Sequence, residues 1–147
     1  MRDNHRRSVV MADAVAPAGP HTPNFDDDAM DPSSTRYLDV DSLPWMETYY
    51  AGIEMKILFK DGKRGVMTAL FRWQPGAKLP MHEHTDIEQS YILEGSLSDF
   101  EGVCKAGNFA WRPAGSKHDA WSPNGCLLLA MFLKPNKFLE GPEASEC

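Results

Sequence analysis

The chain has 147 residues, of which 42% are hydrophobic and 24% charged, the balance of one soluble globular domain. Its formal net charge of -6 argues against a nucleic-acid partner, which would require a basic face. The longest clearly apolar run, residues 126–133, is too short to cross a membrane as a helix. Three widely spaced cysteines form neither a disulfide framework nor a paired-thiolate zinc motif, so a reducing cytoplasm is the expected location.

Residues 1–36 are expected to form a flexible arm. Several arginines precede Val9, but no apolar segment follows them, so a secretory signal is not predicted. The rest of the arm is rich in Ala, Pro, Gly and Asp and has too few large apolar side chains to offset the entropy cost of ordering. His5 and His21 lie in this arm and are interpreted as solvated histidines rather than metal ligands.

From Tyr37 onward the pattern predicts an all-β body. Apolar and polar side chains alternate with a period of two over residues 53–60, which predicts a half-buried strand. Asp61-Gly62 is a hairpin turn signal, and residues 67–73 alternate in the return strand. Glycines separate the remaining strands and no window has a helical period, so a sandwich or barrel is expected. These shorter strands are predicted at 89–93, 97–100, 108–112 and 127–133.

The three histidines outside the arm fall in two short segments. His82 and His84 are two residues apart, which on a strand places both imidazoles on one face, about 6 to 7 Å apart. Glu88 follows across a short polar stretch that could return its carboxylate to the same point. His118 follows a Pro- and Gly-containing turn that could bring a distant strand alongside. Three neutral imidazoles and a carboxylate suit Fe(II), Mn(II), Ni(II), Cu(II) or Zn(II) and disfavour Ca or Mg.

Four protein ligands around an octahedral ion would leave two positions open, as a chelating substrate, or a substrate with dioxygen, requires. Cys104 and Cys126 lack ligand spacing and are expected to be small buried apolar residues. Asp86 or Gln89 could hydrogen-bond a ligand imidazole from behind.

The histidine segments match the two motifs of the cupin superfamily. The first motif, G-x5-H-x-H-x3-E-x6-G, is met by Gly76, His82, His84, Glu88 and Gly95. The second, G-x5-P-x-G-x2-H-x3-N, is met by Gly107, Pro113, Gly115 and His118, with Ser122 in place of the final Asn. The resemblance implies a double-stranded β-helix, or jelly roll, with one divalent transition metal inside the barrel.

Within the cupins the chain is most similar to the ChrR-like group. The supporting residues are Leu43-Pro44-Trp45, Tyr91–Gly95 and Phe132–Asn136. That group includes the cupin half of ChrR-type anti-sigma factors and resembles acetylacetone-cleaving and 2,4'-dihydroxyacetophenone dioxygenases. The resemblance implies a non-haem Fe(II) dioxygenase that cleaves a carbon–carbon bond of a small diketone, hydroxyketone or phenolic ketone, with Zn, Mn or Ni as other possible metals. Glu88 departs from the three-histidine ligand set of the acetylacetone-cleaving enzyme.

Three alternatives stay open: a Zn or Mn cupin isomerase or lyase, a non-catalytic metal- or ligand-binding cupin with a sensing or regulatory role, and a metal site that only stabilises the fold. A small molecule is the expected partner, with no nucleic acid or membrane. The resemblance also implies a homodimer, for which the edge strand before Ile53 could serve. The barrel is bounded at 37–139, with Phe138 packing back on the sheet and a tail at 140–147. Candidate side chains of the substrate pocket are Arg72, Tyr91, Trp111, Arg112 and Trp121.

Overall fold

The computed structural model describes residues 31–33, 35 and 37–144. The prediction of a flexible arm falls almost entirely outside the described residues, as do His5, His21 and Cys147. Within the described part of the chain there is no helix that could span a membrane. The same part contains ten strands: β1 (Met46–Glu47), β2 (Ile53–Asp61), β3 (Val66–Trp73), β4 (Lys78–Glu83), β5 (Glu88–Asp99), β6 (Gly102–Lys105), β7 (Phe109–Arg112), β8 (Lys117–Trp121), β9 (Cys126–Phe132) and β10 (Lys137–Phe138).

The strands form a curled antiparallel sheet whose two halves share β5. One half has the order β1-β2-β3-β9-β5-β7, and the other has the order β10-β4-β8-β5-β6. The first part of β5 pairs with β7 and β9, whereas Ser96–Asp99 pairs with β6 and, at Ser98, with β8. This architecture confirms the predicted all-β jelly roll.

The core follows from the period of two along β3 and β9. In β3 the buried side chains are Met67, Ala69, Phe71 and Trp73, and those between them are partly exposed. In β9 the buried side chains are Cys126, Leu128, Ala130 and Phe132. Because residues paired across antiparallel strands face the same side of a sheet, both sets form one inner wall. The predicted hairpin is also confirmed, since Asp61 pairs with Val66 across the turn.

The strands predicted at 89–93 and 97–100 are one continuous strand, β5. The sequence pattern suggests a break at Gly95, but this residue stays inside the strand with a φ of 70°. A Cβ at Gly95 would overlap the carbonyl group of Gly125 on the neighbouring chain segment. The pairing with β9 shifts register at the same place, between Ile92 and Glu94. Glycine here permits a close backbone approach within a strand rather than ending it.

The last strand, β10, returns the chain to the barrel as predicted. Phe138 is only 4% exposed, and its ring lies 5.0 Å from that of Tyr50 and 5.3 Å from that of His82, measured between centroids. Its backbone pairs with His82 in β4. Phe138 therefore packs behind one of the histidines that the sequence singles out.

Candidate metal centre

The three histidines of the body converge inside the barrel. His82 lies in β4, His84 directly follows that strand, and His118 lies in β8, where its backbone pairs with His82. The ring centroids are 4.6 to 5.0 Å apart, and one ligand atom of each lies within 4.8 Å of the others. None of the three is more than 5% exposed. Such a buried group of imidazoles could hold a divalent metal ion.

A backbone carbonyl orients His82. The oxygen of Pro80 accepts a hydrogen bond from His82 Nδ1 at 2.8 Å. The pairing of β4 with β8 is irregular between Leu79 and His82, where Pro80 has no N–H to donate. A proton on Nδ1 leaves the lone pair of Nε2 available to an ion.

A buried carboxylate orients His118. Asp99 Oδ2 accepts a hydrogen bond from His118 Nδ1 at 3.0 Å and forms an ion pair with the Arg112 guanidinium at 2.7 Å. Asp99 Oδ1 accepts from the backbone N–H groups of Glu101 and Gly102 at 2.9 and 3.1 Å. Burial raises the pKa of Asp99, but these donors together lower it below its usual value. Asp99 thus stays ionised and holds a cavity arginine and a histidine at once.

His118 is kept in its neutral form. Burial lowers its pKa, and the positive charge of Arg112 and the two neighbouring imidazoles lower it further, whereas Asp99 raises it; the result is a pKa of about 4. At neutral pH the ring therefore carries one proton, and its bond to Asp99 places that proton on Nδ1. Nε2 is then free to bind a metal.

His84 supplies the observation that fits a metal most directly. Its side chain is fully buried, and neither ring nitrogen has a hydrogen-bond partner among the described residues. Glu88 Oε2 lies 3.0 Å from His84 Nδ1, but the two groups are not aligned as a hydrogen bond. Burying a polar group without a partner is costly. A cation bound by His84 would remove that cost.

Glu88 lies at the edge of the histidine group, at the start of β5. Ser90 Oγ and Asn136 Nδ2 donate to its carboxylate at 3.2 and 3.3 Å. Burial raises the pKa of Glu88, but nearby His84 and His82 and the Asn136 amide lower it to about 2. Glu88 is therefore an ionised carboxylate in contact with the group, although the set whose ligand atoms all lie within 4.8 Å consists of the three histidines.

A cavity of about 50 Å³ lies beside the histidines. Its polar wall residues are His82, Glu88, Arg112, His118 and Asn136. The remainder of the wall is apolar: Phe71, Trp73, Leu79, Leu97, Ala120, Leu128, Ala130 and Phe132. The indole N–H of Trp73 has no hydrogen-bond partner among the described residues. The cavity therefore suits a small, largely apolar molecule with a few oxygen acceptors.

Residues 33–136 match the family of the ChrR cupin-like domain. The chain belongs to this family. No curated protein matches the sequence of this cupin.

Solved structures with the same fold include two proteins described as acetylacetone dioxygenases. One, from Methylibium petroleiphilum and assigned provisionally, has 19% identity and a TM-score of 0.70, with 80% of this cupin and 90% of that chain covered. The other, from Acinetobacter johnsonii, has 16% identity and a TM-score of 0.59, with the same coverage. ChrR of Rhodobacter sphaeroides, solved with SigE, has 22% identity and a TM-score of 0.54 over 64% of this cupin and 53% of that chain. At these identities the likeness shows a shared fold.

Of the two arginines predicted for the pocket, the cupin barrel brings Arg112 to the cavity wall. Arg72 instead points to the outer side of β3, where it pairs with Glu54 at 2.7 Å and lies 4.2 Å from the centre of the Trp45 ring. The reason is the phase of the strand, since the flanking residues Phe71 and Trp73 occupy the inner face. Arg72 is thus a surface ion-pair residue rather than part of the cavity wall.

The three aromatic side chains predicted for the pocket do not line the cavity. Tyr91 and Trp111 are 42% and 67% exposed, on the outer faces of β5 and β7. Trp121 ends β8 beside Lys78, one residue out of phase with the cavity residue Ala120. In each case the side chain lies on the outer face of its strand, because side chains alternate between the two faces and the adjacent residue occupies the inner one.

Asp99 is a functional residue that the sequence reasoning missed. Asp86, one of the two side chains predicted to support an imidazole, accepts instead from the backbone N–H of Ile87 at 2.8 Å and lies 3.7 Å from Lys134 Nζ. One sequence signal was available: Asp99 is two residues from the apolar Leu97 and therefore shares its inward phase.

The cysteines behave as expected. Cys126 is buried in the core, where burial raises the pKa of its thiol to about 11, and Cys104 is partly buried with a raised pKa of the same origin. A thiol that stays protonated is a poor metal ligand.

Proposed function

We propose that this cupin is a non-haem Fe(II) dioxygenase that cleaves a carbon–carbon bond of a small diketone, hydroxyketone or phenolic ketone. The observation that carries the proposal is the convergence of three buried imidazoles, one of them without a hydrogen-bond partner among the described residues, beside a small cavity that His82 and His118 line. Imidazole ligands suit Fe(II) and also admit Zn, Mn or Ni. The acetylacetone dioxygenases that share the fold support the choice of substrate class.

His82, His84 and His118 would hold the ion, with Glu88 as a fourth ligand. Bound Fe(II) would supply Lewis acidity and the redox chemistry with dioxygen. The three imidazoles are neutral and Glu88 carries one negative charge, so a centre with a divalent ion would keep a net positive charge. The protein therefore favours an anionic ligand, such as the enolate form of a diketone.

Arg112 would orient the substrate. Its guanidinium lines the cavity, and its ion-pair partner within the described part of the chain is Asp99, which contacts a single terminal nitrogen at 2.7 Å. A guanidinium has five N–H groups, so donors remain for a substrate oxygen. The opposing apolar wall, including Phe71 and Phe132, would contact the carbon skeleton and exclude water.

Oxygen uptake tests the proposal. Fe(II)-loaded protein is mixed with a panel of β-diketones and hydroxyacetophenones, with Zn(II)-loaded and metal-free protein as matched controls. We expect uptake with Fe(II) alone, with one dioxygen consumed for each substrate cleaved and both of its oxygen atoms recovered in the two products. Absence of uptake with Fe(II), together with a different conversion supported by Zn or Mn, would show that the centre belongs to an isomerase or lyase.

A ligand-binding cupin without turnover is the second candidate. The cavity, at about 50 Å³, is much smaller than the ~300–1,000 Å³ of most small-molecule sites, which limits how much of a substrate it can enclose. A rise in melting temperature with one of the same ketones, without oxygen uptake, would favour this function.

A further inference from the structure

The C-terminal segment folds back over the strand that carries His82. We call residues 137–143 the C-terminal clasp. Its strand β10 pairs with the end of β4, where the backbone of Phe138 lies beside that of His82. The N–H of Leu139 donates to the Met81 carbonyl at 2.9 Å. Because β4 pairs with β8 on its other side, the clasp covers the remaining edge of a strand that carries a candidate metal ligand.

The clasp contacts both groups that fix the imidazole of His82. The ring of Phe138 lies 5.3 Å from that of His82, measured between centroids, with 36° between the ring planes. Pro80, whose carbonyl accepts from His82 Nδ1 at 2.8 Å, packs against Gly141, where a Cβ would come within 3.0 Å of the proline Cγ. A metal ligand must keep one ring orientation, and these two contacts determine that of His82.

An aromatic stack and a hydrogen bond fasten the clasp to the barrel. Tyr50, in the loop before β2, is 6% exposed, and its ring stacks on that of Phe138 at 5.0 Å with 26° between the planes. Its hydroxyl donates to Glu143 Oε2 at 2.7 Å. Burial and the adjacent Glu143 carboxylate raise the pKa of Tyr50, so the hydroxyl keeps the proton that it donates. A hydrogen bond to an ionised carboxylate is stronger than one between neutral groups.

The loop that carries Tyr50 is itself held in place. The Tyr50 N–H donates to Thr48 Oγ1 at 3.1 Å, and the Thr48 hydroxyl donates to the Ile53 carbonyl at 2.8 Å. The Ile53 N–H donates back to the Tyr50 carbonyl at 3.1 Å. A continuous set of contacts therefore runs from this loop through the two aromatic rings to His82.

We propose that Phe138 and the Tyr50–Glu143 hydrogen bond are positioning elements of the metal centre, which hold His82 in the orientation that binds the ion. The proposal rests on the metal centre of the proposed function. A segment that only stabilised the fold would change the free energy of unfolding but not the metal affinity of the folded protein. Metal affinity therefore separates positioning from a purely structural role.

Chelator competition for Zn(II), carried out on the full chain, tests the proposal. Phe138→Leu removes the ring beside His82 but keeps a large apolar side chain, and it should weaken Zn(II) binding by about 10-fold or more. Tyr50→Phe keeps the stacked ring and removes the hydroxyl, so it should weaken binding by about 3-fold. Glu143→Ala should match Tyr50→Phe. The double variant should be no weaker than either single variant, because both lose the same hydrogen bond.

Glu140→Ala is the matched control, since Glu140 is an exposed carboxylate of the same clasp. It should keep the wild-type Zn(II) affinity. The visible absorption spectrum of Co(II)-loaded protein is a second readout, because it responds to the arrangement of the ligands around the ion. The spectrum should change in Phe138→Leu and stay as in the wild type in Glu140→Ala. Circular dichroism shows whether each variant is folded.

Two outcomes would count against the clasp, and they differ in what else they exclude. Wild-type Zn(II) affinity and an unchanged Co(II) spectrum in folded Phe138→Leu and Tyr50→Phe would overturn the positioning role and leave the metal centre intact. A wild-type protein that binds no Zn(II) would overturn the metal centre as well. If Phe138→Leu does not fold, Tyr50→Phe decides the question, because it removes a single oxygen atom and leaves the aromatic stack in place.

Discussion

The inner and outer faces of the barrel depart from the usual distribution of residues in opposite ways. Inside, polar groups such as His84 and Asp99 are buried within an apolar core. Outside, Tyr91 and Trp111 expose large aromatic surfaces to water. Buried polar groups and exposed apolar patches are the informative exceptions to hydrophobic burial. The first exception brings together groups that could hold a ligand, whereas the second leaves aromatic area in water, although both arise from the same alternating strands.

The three histidines on the inner face differ in their hydrogen bonding. His82 and His118 each have a hydrogen-bond acceptor at Nδ1, from Pro80 and Asp99, whereas His84 has none aligned with it among the described residues. Two imidazoles are thus oriented before any ligand arrives. The third would gain its polar contact from a bound ion, so the protein orients two of the three candidate ligands by itself.

The largest loss of stability is expected from a substitution on the inner face of β3, whereas a substitution of the neighbouring residue on the outer face should have a small effect. Phe71→Ala removes a side chain that is 7% exposed and should lower the free energy of unfolding by about 3–5 kcal/mol. Arg72→Gln breaks a surface ion pair with Glu54 and should cost about 1 kcal/mol or less. Urea denaturation of the metal-free proteins measures both. Equal losses would mean that the assignment of inner and outer faces is wrong.

The pH dependence of stability should reveal the buried neutral His118. Its pKa is about 4 in the folded protein against an ordinary value of 6.5, so between these values the unfolded chain binds more protons. Stability is therefore fully present above pH 6.5 and is lost as the pH falls towards 4. At about 1.4 kcal/mol for each pKa unit, the loss is on the order of 3 kcal/mol.

The His118→Gln variant isolates this contribution. Urea midpoints of metal-free protein, measured at a series of pH values, should fall less steeply for the variant than for the wild type between pH 6.5 and 4. Glu88, with a pKa of about 2 against an ordinary value of 4.5, begins to lose its contribution below about pH 4.5. Both proteins retain Glu88, so the difference between the two curves above that pH reports on His118. Parallel curves for the two proteins would contradict a neutral His118.

An intermediate effect is expected from the carboxylate behind His118. Asp99→Asn offers one acceptor oxygen and no charge where the carboxylate now accepts three hydrogen bonds and pairs with Arg112, so His118 and Arg112 lose their fixed positions. Residues that orient a metal ligand typically change metal affinity by about 10- to 100-fold, and we expect such a loss for Zn(II) in a chelator competition. Asp86→Asn makes the same chemical change next to the histidine segment, where the carboxylate contacts the backbone N–H of Ile87 and the Lys134 ammonium rather than a histidine, and should leave the affinity unchanged. Equal affinities for both variants would exclude a role for Asp99.

The smallest effect on the metal is expected at the last position of the second motif. Ser122 is fully buried, and its hydroxyl donates to the Ser96 carbonyl at 2.7 Å rather than to a histidine. Ser122→Asn should lower stability by about 1–3 kcal/mol through overpacking, while the bound metal per chain stays at the wild-type value. Loss of metal in this folded variant would place Ser122 in the centre.

The sequence predicts those features that local spacing determines. The alternation over 53–60 and 67–73 corresponds to β2 and β3, and the separation of His82 from His84 puts both rings on one face. β6 was not predicted, because three of its four residues are exposed and no alternation is visible. The sequence predicts a break at Gly95 because it cannot show that another backbone segment lies against this residue.

The supporting contacts depend on register between distant strands, which single-sequence patterns do not contain. Asp99 reaches His118 across 19 residues, and Arg112 enters the cavity because its strand pairs with the start of β5 at Glu88. The same register brings Tyr91 beside Phe109 on the outer face. Both aromatic positions look equally suited to a pocket or a surface until the strands are paired.

Elemental analysis of the purified protein tests the central claim, that three imidazoles on the inner face hold one metal ion. The wild type should contain about one equivalent of a divalent transition metal, and His82→Ala, His84→Ala and His118→Ala should each lose most of it while remaining folded. A folded His118→Ala protein that keeps a full complement of metal would contradict the account.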